Sequence, residues 1–331
     1  MTAIIICVVV AAVIFEFING FHDTANAIAT SVYTRALSVG AAIALAAGMN
    51  FCGALVFEGV AKTISKGLVS TDLEEYVVLA ALLGAIAWNL ITWWKGIPSS
   101  SSHALIGSLL GAAIVYTMTL DDIIWSGVLE KVVIPLFTSP LIGFFLGFAI
   151  MKVIYLLLAS RPRNRVNKVF SKLQVFSAAA MAFSHGTNDA QKTMGIITLA
   201  LFTAGMIPSA DHIPLWVKLL CAATIAVGTS VGGYKIMKTM GNGVTKLEPA
   251  GGFAAQTSST IVIELMTLLG APVSTTHVIT TSVMGVGSAR RLKAVKWKVA
   301  KDIILTWVIT LPVCALMGGF CTLIIKSFIG S

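Results

Sequence analysis

The stretch Gly20-Phe-His-Asp-Thr-Ala-Asn26 sets an aspartate, a histidine and an amide inside a segment that is apolar from Ala3 to Phe15. It has a partner, Gly186-Thr-Asn-Asp-Ala-Gln-Lys192, at an offset of 166 residues. Working outward, Pro98-Ser-Ser-Ser-Ser-His103 has a partner at Pro272-Val-Ser-Thr-Thr-His277, at an offset of 174. Each of these is followed by a small-residue helix, Ala104–Gly111 and Val278–Gly285. Two different motifs in one order at nearly one offset mark a duplication. The halves are residues 1–160 and 173–331, joined by a basic linker at 161–172.

The solvent follows from composition. Of 331 residues, 57% are apolar and 11% charged, and the mean hydropathy is +0.91. Soluble domains carry about a quarter charged residues, so a water-soluble enzyme is excluded. A bilayer admits helices or closed barrels, and the ten-residue alternation of barrel strands is absent. Val77–Leu90 and Leu141–Leu158 are apolar on every face, as helices in lipid are. The fold class is an all-α polytopic membrane protein. The net charge of +9 does not indicate nucleic acid, because Lys and Arg gather in a few loops, as the positive-inside rule requires. The five cysteines lie scattered in apolar stretches without metal spacing and read as small hydrophobes. Met1–Ile18 lacks a basic start and a cleavage site, so it reads as a span and not a signal peptide.

Loop charge predicts how the halves face. Arg161 to Lys172 sum to +5, and Arg290 to Lys301 to +6, whereas Asp121, Asp122, Glu130 and Lys131 sum to −2. Lys66, Asp72, Glu74 and Glu75 also sum to −2, while Lys235, Lys238, Lys246 and Glu248 sum to +2. Equivalent loops have opposite sign, which predicts an inverted-topology repeat with broken helices. With basic loops cytoplasmic, both termini lie outside. Crossings fall at the N-terminus, 37–64, 135–159, 173–202, 215–238 and 302–326. Residues 76–118 and 253–288 then form two re-entrant helical hairpins whose tips are the Pro-Ser motifs.

Intramembrane carboxylates serve binding sites or pathways because their burial is costly. Asp23 and Asp189 stand beside Gly20 and Gly186, where a broken helix would expose oxygens for a dehydrated cation. Asn26, Asn188 and Asn50 are further cation ligands, with Thr229 and Ser230 in the span equivalent to that of Asn50. At the tips, Ser100, Ser101, Ser102, Ser274, Thr275 and Thr276 precede helices whose free N–H groups suit a tetrahedral oxyanion. Gln191 is a neighbouring anion ligand. His103 and His277 either donate to the anion or hold the tips. Lys192 aligns with Asn26; it offsets anion charge, pairs with Asp189, or stands where the other half binds a cation. Thr193 and Glu264 are possible lining residues, and Glu16 and Glu58 are further acids within spans. Trp88, Trp93 and Trp94 are expected to pack the first hairpin.

Gly20 to Thr30 and Ser184-His-Gly-Thr-Asn-Asp-Ala-Gln-Lys-Thr-Met-Gly195 resemble the duplicated signature of the PiT family of inorganic phosphate transporters. The second copy is similar to its prokaryotic form, and the two Pro-Ser motifs resemble the other family blocks. The resemblance spans essentially the whole chain. It implies a symporter of phosphate with Na⁺ or H⁺, commonly a homodimer, in the inner membrane, with no cofactor. It also implies that Asp23 and Asp189 serve cation coupling. Asn50 stands where several animal relatives carry a glutamate, and the 161–172 linker replaces their long intracellular loop.

The expected function is therefore phosphate uptake driven by Na⁺ bound at Asp23 and Asp189, by alternating access and without enzymatic activity. Proton coupling, with or without a divalent metal accompanying phosphate, needs no change of residue. Sulfate fits the same cradle but lacks the protons that phosphate donates to an acceptor near the tips. An intramembrane hydrolase is disfavoured, because adjacent Ser and His on one stretch of chain do not align a nucleophile with its base.

Overall fold

The computed structural model describes residues 3–70, 73–231, 237 and 244–329, with the backbone alone for residues 24–26 and 329. Eleven helices dominate the described residues: α1 Ala3–Tyr33, α2 Val39–Ala54, α3 Gly59–Lys66, α4 Glu75–Lys95, α5 Ser101–Thr117, α6 Trp125–Leu158, α7 Arg163–Thr203, α8 Leu215–Val231, α9 Pro249–Leu268, α10 Thr275–Arg290 and α11 Trp297–Ile329. There are no β-strands among these residues, only an isolated bridge between Val69 and Ile123. α1, α4, α6 and α11 are each long and apolar enough to cross a membrane, and the bent pair α2–α3 makes a fifth candidate.

Helix boundaries follow local chemistry. Ser38, Ser100 and Ser274 cap α2, α5 and α10 through their side-chain oxygens. Gly96 and Gly270 take positive φ of 67° and 68°, a conformation only glycine adopts without strain, and so end α4 and α9. Pro98 and Pro272, two residues on, prevent the helices from resuming at once. The two expected hairpins are thus present as α4–α5 and α9–α10, each turning through a short non-helical tip.

Continuity differs from expectation in three places. α1 and α7 run unbroken through Gly20 and Gly186. A glycine costs about 1 kcal/mol in a helix interior, less than an unpaired backbone amide in an apolar setting. The break lies instead in the second span, where Leu55–Glu58 separate α2 from α3 at an angle of 66°. The linker is also largely helical: α7 begins at Arg163 with Pro162 at its N-cap, so Arg165, Lys168 and Lys172 occupy its first turns.

Gly20 and Gly186 act in packing. A Cβ on Gly20 would lie 2.7 Å from the Ile225 carbonyl oxygen and 2.9 Å from Gly228 Cα on α8. A Cβ on Gly186 would overlap the Asn50 carbonyl oxygen on α2, where Gly53 in turn faces the Phe183 carbonyl. α1 therefore seats on α8 as α7 seats on α2. Lipid supplies no hydrophobic force between helices, so such close small-residue contacts carry association. The hairpins pack across the halves, α4–α5 on α11 and α9–α10 on α6. Outward faces of α6 and α11 stay apolar and exposed, including Phe137, Phe145, Leu156, Leu316 and Phe328.

Two apolar cores result. One gathers Ile5 to Phe15 of α1, Ala190 to Leu201 of α7, and the hairpin α4–α5. The other gathers Ala27 to Ala29, Met181, Ala182 and the hairpin α9–α10. Between them, α1 contributes Glu16, Asn19, His22 and Asp23, and α7 contributes Ser184 to Thr193, all buried apart from the undescribed side chains of 24–26.

Candidate functional site

Both hairpin tips enter this buried polar layer and touch each other, Ser102 Oγ donating to the Val273 carbonyl at 3.0 Å. Asp23 Oδ1 accepts from Thr276 Oγ1 at 3.1 Å and lies 2.7 Å from His22 Nδ1. His22 Nε2 lies 3.3 Å from Thr92 Oγ1, which accepts from Ser99 Oγ at 2.8 Å. The aspartate of α1 is thereby tied to the second tip directly and to the first through a histidine.

Asp189 is held differently. Its Oδ1 is paired with Lys192 Nζ, and its Oδ2 accepts from Thr275 Oγ1 at 3.3 Å and lies 3.1 Å from His185 Nε2. The Lys192 ammonium also donates to Ser102 Oγ and, at 3.0 Å, to the Val273 carbonyl. His185 Nδ1 lies 3.0 Å from Asn50 Oδ1, and Asn50 Nδ2 donates to Thr229 Oγ1 at 2.9 Å. Asn50 thus joins α2, α7 and α8, while Ser230, expected beside Thr229, is exposed and bonds its own helix.

Three expected anion ligands are engaged elsewhere. Ser100 and Ser274 accept the backbone N–H of His103 and His277 at 3.1 and 3.3 Å, closing the first turns of α5 and α10. Gln191 Oε1 accepts the N–H groups of Val60 and Ala61 at 2.9 and 3.2 Å. It therefore caps α3 across the break, and its Nε2 donates to the Thr187 carbonyl. Ser101, Ser102, Thr275 and Thr276 remain in the layer, each at most 2% exposed, and Ser101 Oγ has no partner among the described residues.

Asn188 Nδ2 donates to Thr267 Oγ1 at 2.9 Å and to the Ala271 carbonyl at 3.2 Å, while its Oδ1 has no partner among the described residues. Asn26, the other expected cation ligand on this pattern, lies outside the described side chains. Thr193 Oγ1 donates to Glu16, whose other oxygen is buried and unpartnered among the described residues. Glu264, half-buried on α9, accepts from Ser184 at 2.7 Å and Thr187 at 3.3 Å. Glu58 pairs with Lys62 at 3.3 Å and with Lys218, at the rim. Buried polar atoms are almost always hydrogen-bonded. Glu16 Oε1, Ser101 Oγ and Asn188 Oδ1 are buried atoms without a hydrogen-bond partner among the described residues, and so are open to a polar ligand.

The two tip histidines face each other with ring centroids 4.9 Å apart. His277 stacks on Trp307 of α11 at 3.9 Å, and Trp307 Nε1 donates to the Pro98 carbonyl at 3.4 Å. One tryptophan thus pins both tips. Trp307, Thr92 and Thr267 escape the sequence reading. The available signal is a lone polar residue in an apolar helix, as at Thr92. Trp93 meets Phe21 edge-on at 5.3 Å, whereas Trp94 is 69% exposed. Among the described residues no three His, Cys, Asp or Glu side chains gather as a metal cluster.

A membrane-embedded helical protein with a buried polar and charged layer between two hairpin tips has the form of a solute transporter. The chain belongs to the phosphate transporter family: that family's model matches it twice, over residues 19–162 and 158–318. It is 49% identical over 324 residues to a probable low-affinity inorganic phosphate transporter of Bacillus subtilis (strain 168), covering 97% of each chain. A protein of the same description from Rhizobium meliloti (strain 1021) is 44% identical, over 96% of this chain and 95% of the relative. Among solved structures, a protein described as the sodium-dependent phosphate transporter superposes with a TM-score of 0.90 at 26% identity, covering 98% of this chain and 99% of that one. These relatives are named as transporters, and the chain is a membrane protein and not an enzyme.

Proposed function

We propose that the chain takes up inorganic phosphate by Na⁺-coupled symport, with alternating access between two inverted halves. The observation that carries this reading is the charge of the polar layer. Among the described residues the layer that holds Asp23 and Asp189 contains one buried ammonium, Lys192, paired with Asp189, alongside the hydroxyls that suit phosphate. An anion entering this layer meets net negative charge in a low-dielectric setting, where repulsion is strong. Bound cations remove it. Na⁺ at Asp23, with Asn188 Oδ1 as a further oxygen, would prepare the layer for an anion. Ser101, Ser102, Thr275 and Thr276, with the first-turn amides of α5 and α10, then hold phosphate. A sodium-dependent structural neighbour supports the choice of ion.

Electrostatics also sets the need for coupling. Each positive charge moved inward gains about 2.3 kcal/mol per 100 mV of inside-negative potential, offsetting the work of importing an anion. The basic loops supply the orientation, with both termini outside the inner membrane.

A second reading is favoured by Glu16. It is fully buried, bonded to Thr193 through one oxygen, and so suits a proton carrier. The deciding experiment is radiolabelled phosphate uptake into proteoliposomes with Na⁺ and pH gradients imposed separately and sulfate as competitor. Uptake that follows the Na⁺ gradient and is lost in Asp23→Asn supports symport with Na⁺. Uptake that follows the pH gradient and ignores Na⁺ replaces it with proton coupling.

A further inference from the structure

The two halves treat their aspartates unequally. Asp23 of α1 bonds Thr276 of the opposite tip directly, at 3.1 Å. The position equivalent to Thr276 is Ser102, and Asp189 reaches it through the ammonium of Lys192. Lys192 aligns with Asn26 in the first half, so the charge at 192 has no counterpart there.

The surroundings of the ammonium are those of a cation site. Nζ meets a carboxylate oxygen of Asp189, the Ser102 hydroxyl and the Val273 carbonyl, three oxygens from α7 and both hairpin tips. Carboxylate, hydroxyl and backbone carbonyl are the oxygen donors that hard cations take. The side chain is 1% exposed and ranks with Phe15 among the largest fully buried ones. Burying it this completely is unfavourable unless those oxygens satisfy its charge and donors. A free monovalent ion would find the same donors if the side chain were shorter and neutral.

We propose that Lys192 is a tethered cation, its ammonium standing permanently in the second of two repeat-related monovalent-cation positions. Asp189 is then neutralised by a charge that never leaves the protein. The chain couples phosphate to one mobile cation fewer than it would with asparagine at 192. The inference builds on the cation role given above to Asp23, and it removes Asp189 from the mobile-ion ligands.

The test counts ions. Purified wild-type chain and Lys192→Asn are titrated with ²²Na⁺, and the number bound per chain at saturation is compared. The expected result is one more Na⁺ in Lys192→Asn, lost again when Asp189→Asn is added. An unchanged count overturns the proposal. Should Lys192→Asn not fold, Asp189→Asn/Lys192→Met removes the pair as a neutral unit. Its Na⁺ count should equal that of wild type, and a count lower by one overturns the proposal, because Asp189 would then hold a mobile ion. Wild-type uptake indifferent to Na⁺ would end the Na⁺-symport reading alone. The variant count, being a difference in binding, still decides the role of Lys192.

Discussion

Thr276 Oγ1 donates to Asp23 Oδ1 across 253 residues of chain, so the tip of the second hairpin is fastened to the long helix of the first half. The hydroxyl and the carboxylate keep further lone pairs, so a cation at Asp23 can share the contact with the tip. On the proposed reading, the contact joins a cation at Asp23 to the tip proposed to hold phosphate.

Replacing that hydroxyl by a methyl group tests the link. Hydrogen bonds to charged groups contribute about 1.5–3 kcal/mol, which is roughly 10- to 100-fold in affinity. Thr276→Val should raise the Na⁺ and phosphate concentrations needed for half-maximal uptake together, within that range. Thr275→Val, at a longer 3.3 Å from an Asp189 already paired with Lys192, should do less. Unaltered half-saturation constants for both solutes in Thr276→Val would sink the link.

The seating of α7 on α2 predicts a stability effect. A Cβ at Gly186 would overlap the Asn50 carbonyl, and only movement of a helix backbone relieves it. Overpacking costs about 1–3 kcal/mol, so Gly186→Ala should lower the thermal midpoint of the detergent-solubilised protein by several degrees. Gly48 on α2 is exposed, and a Cβ there would meet nothing within 4 Å. Gly48→Ala should be neutral or stabilising by up to about 1 kcal/mol, the helix propensity difference. Equal midpoints for the two variants would refute the packing account.

At the helix ends, Glu248 bonds Arg163 and lies 3.9 Å from Arg290. The Arg163 hydrogen bond holds its carboxyl below the usual carboxylate range, against a smaller upward pull from burial. A depressed folded pKa means that the pair's stabilisation is present above the ordinary glutamate value of about 4.3. It fades as pH falls through the lower folded value. Both side chains are substantially exposed, so solvent screening leaves the contribution small. Glu248→Gln should leave a slightly flatter loss of thermal stability between about pH 5 and pH 3 than wild type, and high salt should erase the difference. An acid limb steeper in the variant would contradict the sign.

How far the site was legible depends on what kind of signal each residue leaves. Asp23, Asp189 and the tip hydroxyls announce themselves, because polar residues inside apolar segments are costly and here recur at matched offsets. Their detailed roles were less visible. An N-capping serine and a serine free to meet a ligand have the same local sequence, so Ser100, which caps α5, and Ser101, whose Oγ has no partner among the described residues, are separated only by the backbone geometry of the turn. The linker reads as a loop by charge, yet Arg, Lys and Val after Pro162 are compatible with helix, and packing settles it. Trp307 is an ordinary aromatic residue of an apolar span until both tips are seen against it.

Gln191 gives the sharpest separation between a ligand and a support. Beside Asp189 in sequence, it invites assignment to the anion, but its Oε1 accepts two N–H groups at the start of α3, where Leu55–Glu58 break the second span. Gln191→Leu keeps the volume and removes the acceptor. Leaving two buried amides without a partner costs about 1–3 kcal/mol each, and neighbouring groups recover part of that. The expected result is a lower thermal midpoint with a phosphate half-saturation constant within about twofold of wild type, since Ser101, Ser102, Thr275 and Thr276 are untouched; the factor corresponds to less than one tenfold step, about 1.4 kcal/mol. A direct ligand would behave in the opposite way, raising the half-saturation constant at least tenfold at an unchanged midpoint. Measuring both quantities on one preparation decides whether Gln191 touches the transported anion or fixes the bend beside it.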